Sequence, residues 1–359
     1  MSLTEPAWMP QPILGIESSC DETAAAVLDH EGLVLSNAIS SQNAVHAKFG
    51  GVVPELAARA HISMIDRVVA EAVSQAGMKK SDLGAVAVTR GPGLAGALLV
   101  GVNFAKSFSY GLSIPLVGVN HLEGHIASAW LADPSFPVPC IVLVVSGGHT
   151  HLFRREVGGH CVLLGQTRDD AAGEAFDKGA QMLGLDFPGG PAIDRISKEG
   201  DYTAIPFPRF HRRKSRLEFS FSGLKTSLLY KLQDMDEHQR EKRIADLAAG
   251  YQEAIVQVLV EKAFSALSQE GLSALAVVGG VSANSRLRML LTQRAEREGV
   301  RLAVPPMAYC TDNAAMIASA GRQALLADPR WTRDFDIQPA LRIEPIQRGS
   351  ILAKEMLHS

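Results

Sequence analysis

The sequence predicts an α/β protein in which one pattern is laid down twice. A chain of 359 residues exceeds what one compact core usually spans, so two lobes are expected. Hydrophobic residues at 47% with 32 glycines suit a large α/β enzyme with many tight turns. The repeat is the third observation. Residues 13–17 read as a strand, broken by Ser18-Ser19-Cys20-Asp21-Glu22 and resumed over 23–28. Residues 141–145 do the same, broken by Ser146-Gly147-Gly148-His149 and resumed over 150–154. Each is a hairpin whose small polar turn can bring backbone N–H groups to an anion.

Strands and helices alternate after both hairpins. A helix is expected near 54–76, a strand at 84–89, a helix at 94–110 and a strand at 115–119. The second half places helices near 172–183 and 241–269, a strand at 274–278 and a helix at 283–298. This alternation argues two lobes, each with a mixed sheet. Two such turns facing each other across a cleft are how actin-like and sugar-kinase-like proteins hold nucleotide phosphates, although two ordinary glycine-containing hairpins fit the spacing equally. A net charge of −3 describes no strongly basic nucleic-acid binder, so any RNA contact must rest on local patches. Cys20, Cys140, Cys161 and Cys310 show no Cys-x-x-Cys spacing and read as reduced thiols of a cytoplasmic protein. The first residues lack a basic segment followed by an apolar one, so no signal peptide is expected. Apolar stretches such as 91–105 are short and broken by Gly and Pro, and no membrane contact is expected.

The motif with most chemistry is Asn120-His121-Leu122-Glu123-Gly124-His125. On a helix, positions i and i+4 share a face, so both imidazoles can reach one metal ion. Asp312, opening an apolar helical run, is the third candidate. Convergence of the three would make a two-His, one-carboxylate site with open positions for substrate. Two partly buried, hydrogen-bonded histidines are the alternative.

Further segments read toward a nucleotide. The loop Thr89-Arg90-Gly91-Pro92-Gly93-Leu94-Ala95-Gly96 lies between a strand and a helix and suits an anion or simply a tight turn. Gly279-Gly280-Val281-Ser282-Ala283-Asn284 follows a buried strand and can lie against an adenosine, or Ser282 or Asn284 can cap the next helix. Asp169 and Asp170 read as helix-start residues. Asp177 and Asp194 are candidates to accept hydrogen bonds from ribose hydroxyls, or members of surface ion pairs. The cluster Arg209-Phe210-His211-Arg212-Arg213-Lys214-Ser215-Arg216 is a candidate RNA contact through Arg209, Arg212, Arg213, Lys214 and Arg216, or a solvated loop.

Together these motifs resemble the TsaD (Gcp/YgjD) family, the bacterial tRNA N6-adenosine threonylcarbamoyltransferases. The resemblance runs from about residue 13 to about 325. It rests on Gly15-Ile16-Glu17-Ser18-Ser19-Cys20-Asp21-Glu22-Thr23, on residues 50–61, on His121 and His125, and on Val145-Ser146-Gly147-Gly148-His149-Thr150. Residues 169–178, 219–226 and 279–284 and Cys310-Thr311-Asp312-Asn313 complete it. Asp186-Phe187, where the family more often has Gly-Tyr, and Gln166, where it often has Arg, are small departures.

The resemblance implies an actin-like (ASKHA) fold: two RNase H-like lobes with a substrate and metal cleft between them. The expected lobes are 1–135 with about 305–335, and 136–304, followed by an extension over 336–359. It implies one divalent metal, Fe²⁺ before Zn²⁺, on His121, His125 and Asp312. It implies substrate contacts at Val144, Val145, Ser146, Gly147, Gly148, Asp177, Gly190, Asp194 and Asn284. Asp21 and Glu22 are implied to be catalytic. The implied reaction moves the threonylcarbamoyl group of threonylcarbamoyl-AMP to N6 of adenosine 37 in the anticodon loop of ANN-decoding tRNAs. Implied partners are a TsaB-like paralogue, docking near 54–76, and a TsaE-like ATPase.

Three rival functions fit parts of the pattern. An actin-like ATPase or kinase explains the turns but gives the histidines no task. A metallopeptidase of the zincin type needs His-Glu-x-x-His, and here Leu122 holds the position of the general base. A non-catalytic scaffold does not need His121, His125 and Asp312.

Overall fold

The first strand of each hairpin, residues 13–17 and 140–145, is buried on both faces, which explains why these two read as nearly unbroken apolar runs. A computed structural model describes residues 11–208, 217–328 and 334–343. In chain order its elements begin with β1 (Ile13–Glu17), β2 (Glu22–Leu28), β3 (Val34–Ser41), α1 (Asn43–His46), α2 (Pro54–Gln75), β4 (Ala85–Gly91), α3 (Ala95–Leu112), β5 (Leu116–Asn120) and α4 (His121–Ala132). There follow β6 (Cys140–Val145), β7 (Thr150–Arg155), β8 (Cys161–Gln166), α5 (Ala172–Met182), α6 (Gly189–Ile196), α7 (Ser222–Gln233), α8 (Glu237–Glu270), β9 (Ala274–Val278), α9 (Ser285–Glu298), β10 (Arg301–Ala303) and α10 (Ala314–Ala327). The chain divides into two compact units. The described residues up to Pro134, together with Pro306–Arg342, form the first, and Ser135–Pro305 the second.

The first unit holds a five-stranded sheet in the order β3-β2-β1-β4-β5. β1 pairs antiparallel with β2 and parallel with β4. The second unit repeats the plan as β10-β9-β6-β7-β8, with β6 antiparallel to β7 and parallel to β9. The duplication seen in the hairpins is therefore a duplication of whole sheets, and the mixed α/β architecture follows it. β3, β8 and β10 were not legible from pattern. They are edge strands, so their residues are partly exposed and carry Ser, Asn, Gln and Arg among the apolar ones.

Period-two alternation sorts the first sheet's side chains into two cores. Leu14 and Ile16 of β1 join Ala25, Val27, Val86 and Val88 in a cluster with α2 and α3. Ile13 joins Ala24, Ala26, Ala85 and Ala87 in a cluster with Ala314, Ala315 and Ala318 of α10. That second face is alanine on alanine, which lets the helix lie close to the sheet. At Gly15 the approach is closer still: a Cβ there would stand 2.3 Å from the Ala314 carbonyl oxygen. The second unit packs α5, α7, the 34-residue α8 and α9 around β6 and β9, with Tyr251, Phe176, Phe219 and Phe221 fully buried.

The loop between β4 and α3 proves to be a tight turn closed by the protein itself. Gly93 donates its amide to the Pro339 carbonyl at 3.1 Å, and Leu94 donates to the Ser19 carbonyl at 2.8 Å. Gln338 in turn donates to the Arg90 carbonyl at 2.8 Å. Phe335 lies under the cations of Lys106 and Arg90, at 5.3 and 6.0 Å from its ring centre. Residues 334–341 thus strap β4 and β5, and two amides that an anion would need already have partners. Among the described residues no helix is long and apolar enough to cross a membrane.

Candidate metal centre

Two asparagines set up the site. Asn120 ends β5 and caps α4, its side chain accepting the Leu122 amide at 2.9 Å. His121 therefore becomes the first helical residue, and His125 follows one turn later on the same buried face. Asn313 caps α10, accepting the Met316 amide at 3.1 Å and donating to the Thr311 carbonyl at 2.8 Å. Because Asn313 satisfies the helix end, the neighbouring Asp312 carboxylate is left for the histidines. Gly124, between the two histidines, faces α10: a Cβ there would stand 2.6 Å from Ile317 Cδ1. The small residue lets α4 meet α10, and the meeting brings Asp312 to the pair.

The result is a compact donor set. One ligand atom from each of His121, His125 and Asp312 falls within a 4.8 Å group. His121 Nε2 lies 3.5 Å and His125 Nε2 3.1 Å from Asp312 Oδ1. The imidazoles meet edge to face, with centres 4.7 Å apart. His125 is fully buried, yet neither ring nitrogen has a well-aligned hydrogen bond. A buried polar group in that condition needs a partner, and a cation bound by Asp312 would supply it. Two imidazoles and one carboxylate suit Fe²⁺ or Zn²⁺. These residues fit a divalent metal ion.

The electrostatics point the same way. Burial works to raise the pKa of Asp312, but His121 and His125 outweigh it and hold the carboxyl well below its usual range. Burial likewise opposes a charged His121, and the Asp312 and Glu17 carboxylates outweigh that, raising its pKa well above the usual value. Without a metal, a proton on His121 supplies the positive charge the two carboxylates need.

Asp21 ends the turn that joins β1 to β2, and Glu22 opens β2, in the same unit. Burial, then the charges of Asp312 and Asp21, push the Glu22 carboxyl up to about 9. His61 of α2 braces this turn, with Nε2 3.0 Å from the Cys20 carbonyl and Nδ1 2.7 Å from Thr23 Oγ1. The Cys20 thiol is driven upward by burial and then by Asp21 and Asp312, so it carries no thiolate. Glu123, the acid nearest the position of a zincin base, is exposed while both imidazoles are buried.

In the second unit, two glycines draw three of the predicted segments together. A Cβ at Gly173 would lie 2.7 Å from the Ser146 carbonyl oxygen, and one at Gly279 2.4 Å from that of Val145. The end of β6, with Val144 and Val145, thus meets the start of α5 and the 279–284 turn. The turn's carbonyls are tied down, Ser146 accepting from Gly173 at 3.2 Å and Gly147 from Glu174 at 3.1 Å. Gly147 and Gly148 are exposed, and their amides donate to none of the described residues. Asp177 accepts the Gly189 amide at 2.8 Å, beside Gly190 at the start of α6. Asp194 accepts from the Ser285 hydroxyl at 2.8 Å and its amide at 3.2 Å. Asn284 caps α9 through the Leu287 amide at 2.9 Å and donates to Gln252 Oε1 at 2.6 Å. Each of these three polar side chains therefore already has a structural partner. The basic residues Arg209, Arg212, Arg213, Lys214 and Arg216 lie outside the described residues.

Several participants escaped the sequence reading. Glu17, Ser19 and Thr89 contact His121 directly or through one another, and the one available signal was a glutamate closing an otherwise apolar strand. Asp169 does not serve the start of α5. It accepts the Phe221 amide at 2.8 Å and the Ser222 amide at 3.2 Å, at the start of α7.

Two sheets of equal topology and a buried two-histidine, one-carboxylate group define an actin-like α/β protein with a candidate metal centre in its first unit. Solved structures agree on the fold. Component A of the (R)-2-hydroxyglutaryl-CoA dehydratase of Acidaminococcus fermentans superposes with a TM-score of 0.51 at 16% identity, over 88% of this chain and 99% of that one. HypF of T. kodakarensis gives 0.60 at 13% identity, over 89% of this chain and 48% of its own. Sequence comparison goes further. The family described as TsaD, tRNA N6-adenosine threonylcarbamoyltransferase, matches residues 33–319. A protein of that name from Anaeromyxobacter dehalogenans (strain 2CP-C) is 53% identical over 332 residues, 92% of this chain and 99% of that protein. One from Clostridium perfringens (strain SM101 / Type A) is 48% identical over 331 residues, 92% and 98% respectively. The chain belongs to the TsaD family of tRNA N6-adenosine threonylcarbamoyltransferases.

Proposed function

We propose that the protein transfers the threonylcarbamoyl group of threonylcarbamoyl-AMP to N6 of adenosine 37 in tRNAs that read ANN codons. The observation that carries this reading is the buried convergence of His121, His125 and Asp312 in a chain of this family. These three residues would hold one divalent ion, Fe²⁺ in this reading with Zn²⁺ as the alternative. When bound, that ion supplies Lewis-acid polarisation and orientation of the donor carbonyl.

The rest of the chemistry belongs to the substrates and the chain. The N6 lone pair of adenine is delocalised into the ring, so N6 is a weak nucleophile and the acyl donor needs a good leaving group. As N6 attacks, the new C–N bond forms and the C–O bond to phosphate breaks. AMP leaves with that electron pair, and N6 releases one proton. The open amides of Gly147 and Gly148 would meet the phosphate oxygens, where negative charge grows. Val144, Val145, Ser146, Asp177, Gly190, Asp194 and Asn284 are the proposed surroundings of the nucleotide-bearing donor. Asp21 and Glu22 are the proposed catalytic carboxylates of the first unit. Adenosine 37 lies in an unpaired loop, so its base enters without melting a helix. Arg209, Arg212, Arg213, Lys214 and Arg216 remain the proposed tRNA contact. A TsaB-like paralogue, docking on α2, and a TsaE-like ATPase are the proposed partners.

The test is mass spectrometry of nucleosides from unmodified ANN-decoding tRNA incubated with threonylcarbamoyl-AMP, the protein and its two partners, beside His121→Ala. Threonylcarbamoyladenosine is expected from the wild type and not from the variant. No product with a complete partner set, together with steady ATP hydrolysis by the protein on its own, overturns the reading in favour of an ATPase.

A further inference from the structure

We propose that Glu17 is the positioning residue of the metal centre, selecting the tautomer of His121, and that Thr89 holds Glu17 in place. Glu17 is fully buried at the end of β1. An isolated carboxylate there would be strongly unfavourable, so its donors are informative. Oε1 accepts the Ser19 amide at 2.5 Å. Oε2 takes the Thr89 hydroxyl at 2.7 Å and faces His121 Nδ1 at 2.9 Å.

The chemistry of the contact decides the tautomer. A carboxylate only accepts, so it holds the proton on Nδ1 and leaves the Nε2 lone pair, on the Asp312 side, for a cation. The Ser19 hydroxyl, 3.2 Å from the same nitrogen, can donate or accept and selects neither form. A metal-bound histidine whose second nitrogen donates to a carboxylate is both oriented and made a better ligand. Glu17, Thr89 and His121 come from β1, β4 and the start of α4, so the contact also ties the helix to the centre of the sheet. This inference rests on the reading of His121, His125 and Asp312 as metal ligands.

The test uses the full-length chain stripped of metal and titrated with Co²⁺, followed by the absorption of the bound ion. Wild type is expected to take up one equivalent. Glu17→Gln should bind about 10- to 100-fold more weakly, and Thr89→Val should shift affinity the same way by up to about 10-fold. In the Zn²⁺-loaded wild type, ¹⁵N-edited NMR should find a strongly deshielded Nδ1–H proton on His121, weakened in Thr89→Val and lost in Glu17→Gln. A merely structural role would lower the melting temperature without moving that signal. If wild type takes up no Co²⁺, or if His121→Ala does not impair uptake, the metal reading fails and this inference with it. If wild type binds while Glu17→Gln binds equally well with its Nδ1 signal intact, only the positioning role is overturned. Should Glu17→Gln fail to fold by circular dichroism, the folded Thr89→Val decides, and unchanged affinity and an unchanged signal there overturn the proposal.

Discussion

Gly15 of β1 and Ala314 of α10 lie in backbone contact, so close that a Cβ on Gly15 would stand 2.3 Å from the Ala314 carbonyl oxygen and 2.7 Å from the Ala318 amide nitrogen. Both obstacles are backbone, so a side chain cannot be accommodated by a rotamer change. Gly15→Ala must push the start of α10 off the sheet, and Asp312 lies two residues before that helix. The expected cost is about 3 kcal/mol, the upper part of the overpacking range, read from the denaturation midpoint. Co²⁺ uptake by the folded fraction should weaken too, and wild-type stability in the variant would refute the contact.

Asn313→Ala tests whether capping is what frees Asp312. Asn313 is fully buried and caps α10. Its loss should destabilise the protein by about 1–2 kcal/mol. The uncapped helix end then competes for the Asp312 carboxylate, so Co²⁺ affinity should fall as well. Asn313→Asp keeps a capping oxygen for Met316 but replaces the donor to the Thr311 carbonyl by a second acceptor, so it should recover only part of the stability.

Asp169 offers a test by pH. Burial acts to raise its pKa, and hydrogen bonds from Ser220, Phe221 and Ser222 outweigh that, so the carboxyl titrates below its ordinary value. The folded form thus holds its proton less tightly than the unfolded one. The associated stability is fully present above the unfolded carboxyl's value, roughly pH 4, and is lost as pH falls through the lower folded value. Asp169→Asn should remove that part of the acid dependence. The variant should lose about 1 kcal/mol near neutral pH, a typical capping contribution, while an unchanged acid limb of the stability curve would contradict the assignment.

Phe335→Ala probes the strap over β4 and β5. The ring packs on Gly118, where a Cβ would meet it at 2.9 Å, and under two cations. Its half-buried position predicts a loss of about 1–3 kcal/mol. Hydrogen exchange at Gly93, whose amide is bonded to Pro339, should accelerate more than that of the β1 amides. Equal acceleration throughout would mean that the segment stabilises the unit globally and does not hold the turn.

Most of the regular structure was legible because the strands at the middle of each sheet are buried on both sides and the long helices are bounded by clear breaks. Helix α2, expected over 54–76, runs Pro54–Gln75, and β9 matches 274–278. The His121–His125 pair was legible for a similar reason, since its spacing is a property of one helix turn. Glu17 was not. In sequence it is a polar residue ending a strand, and only His121 and Thr89, arriving from other segments, give it a role. Asp169 misled for the converse reason. It precedes a helix in sequence, yet its carboxylate serves residues 51 to 53 positions further on.

By itself, then, the sequence determined the twofold α/β plan, the helical pairing of His121 with His125 and the kinship with the TsaD family. Periodicity, capping and turn chemistry act within a few residues, and those features need nothing more. Only the tertiary structure decided that Asp312 faces the pair, that Glu17 stands behind His121, and that Gly93 and Leu94 have partners within the chain. These are meetings of segments far apart in sequence. They depend on how closely backbones pack, at Gly15 on α10 and at Gly124 on Ile317, and such distances are set by the folded core.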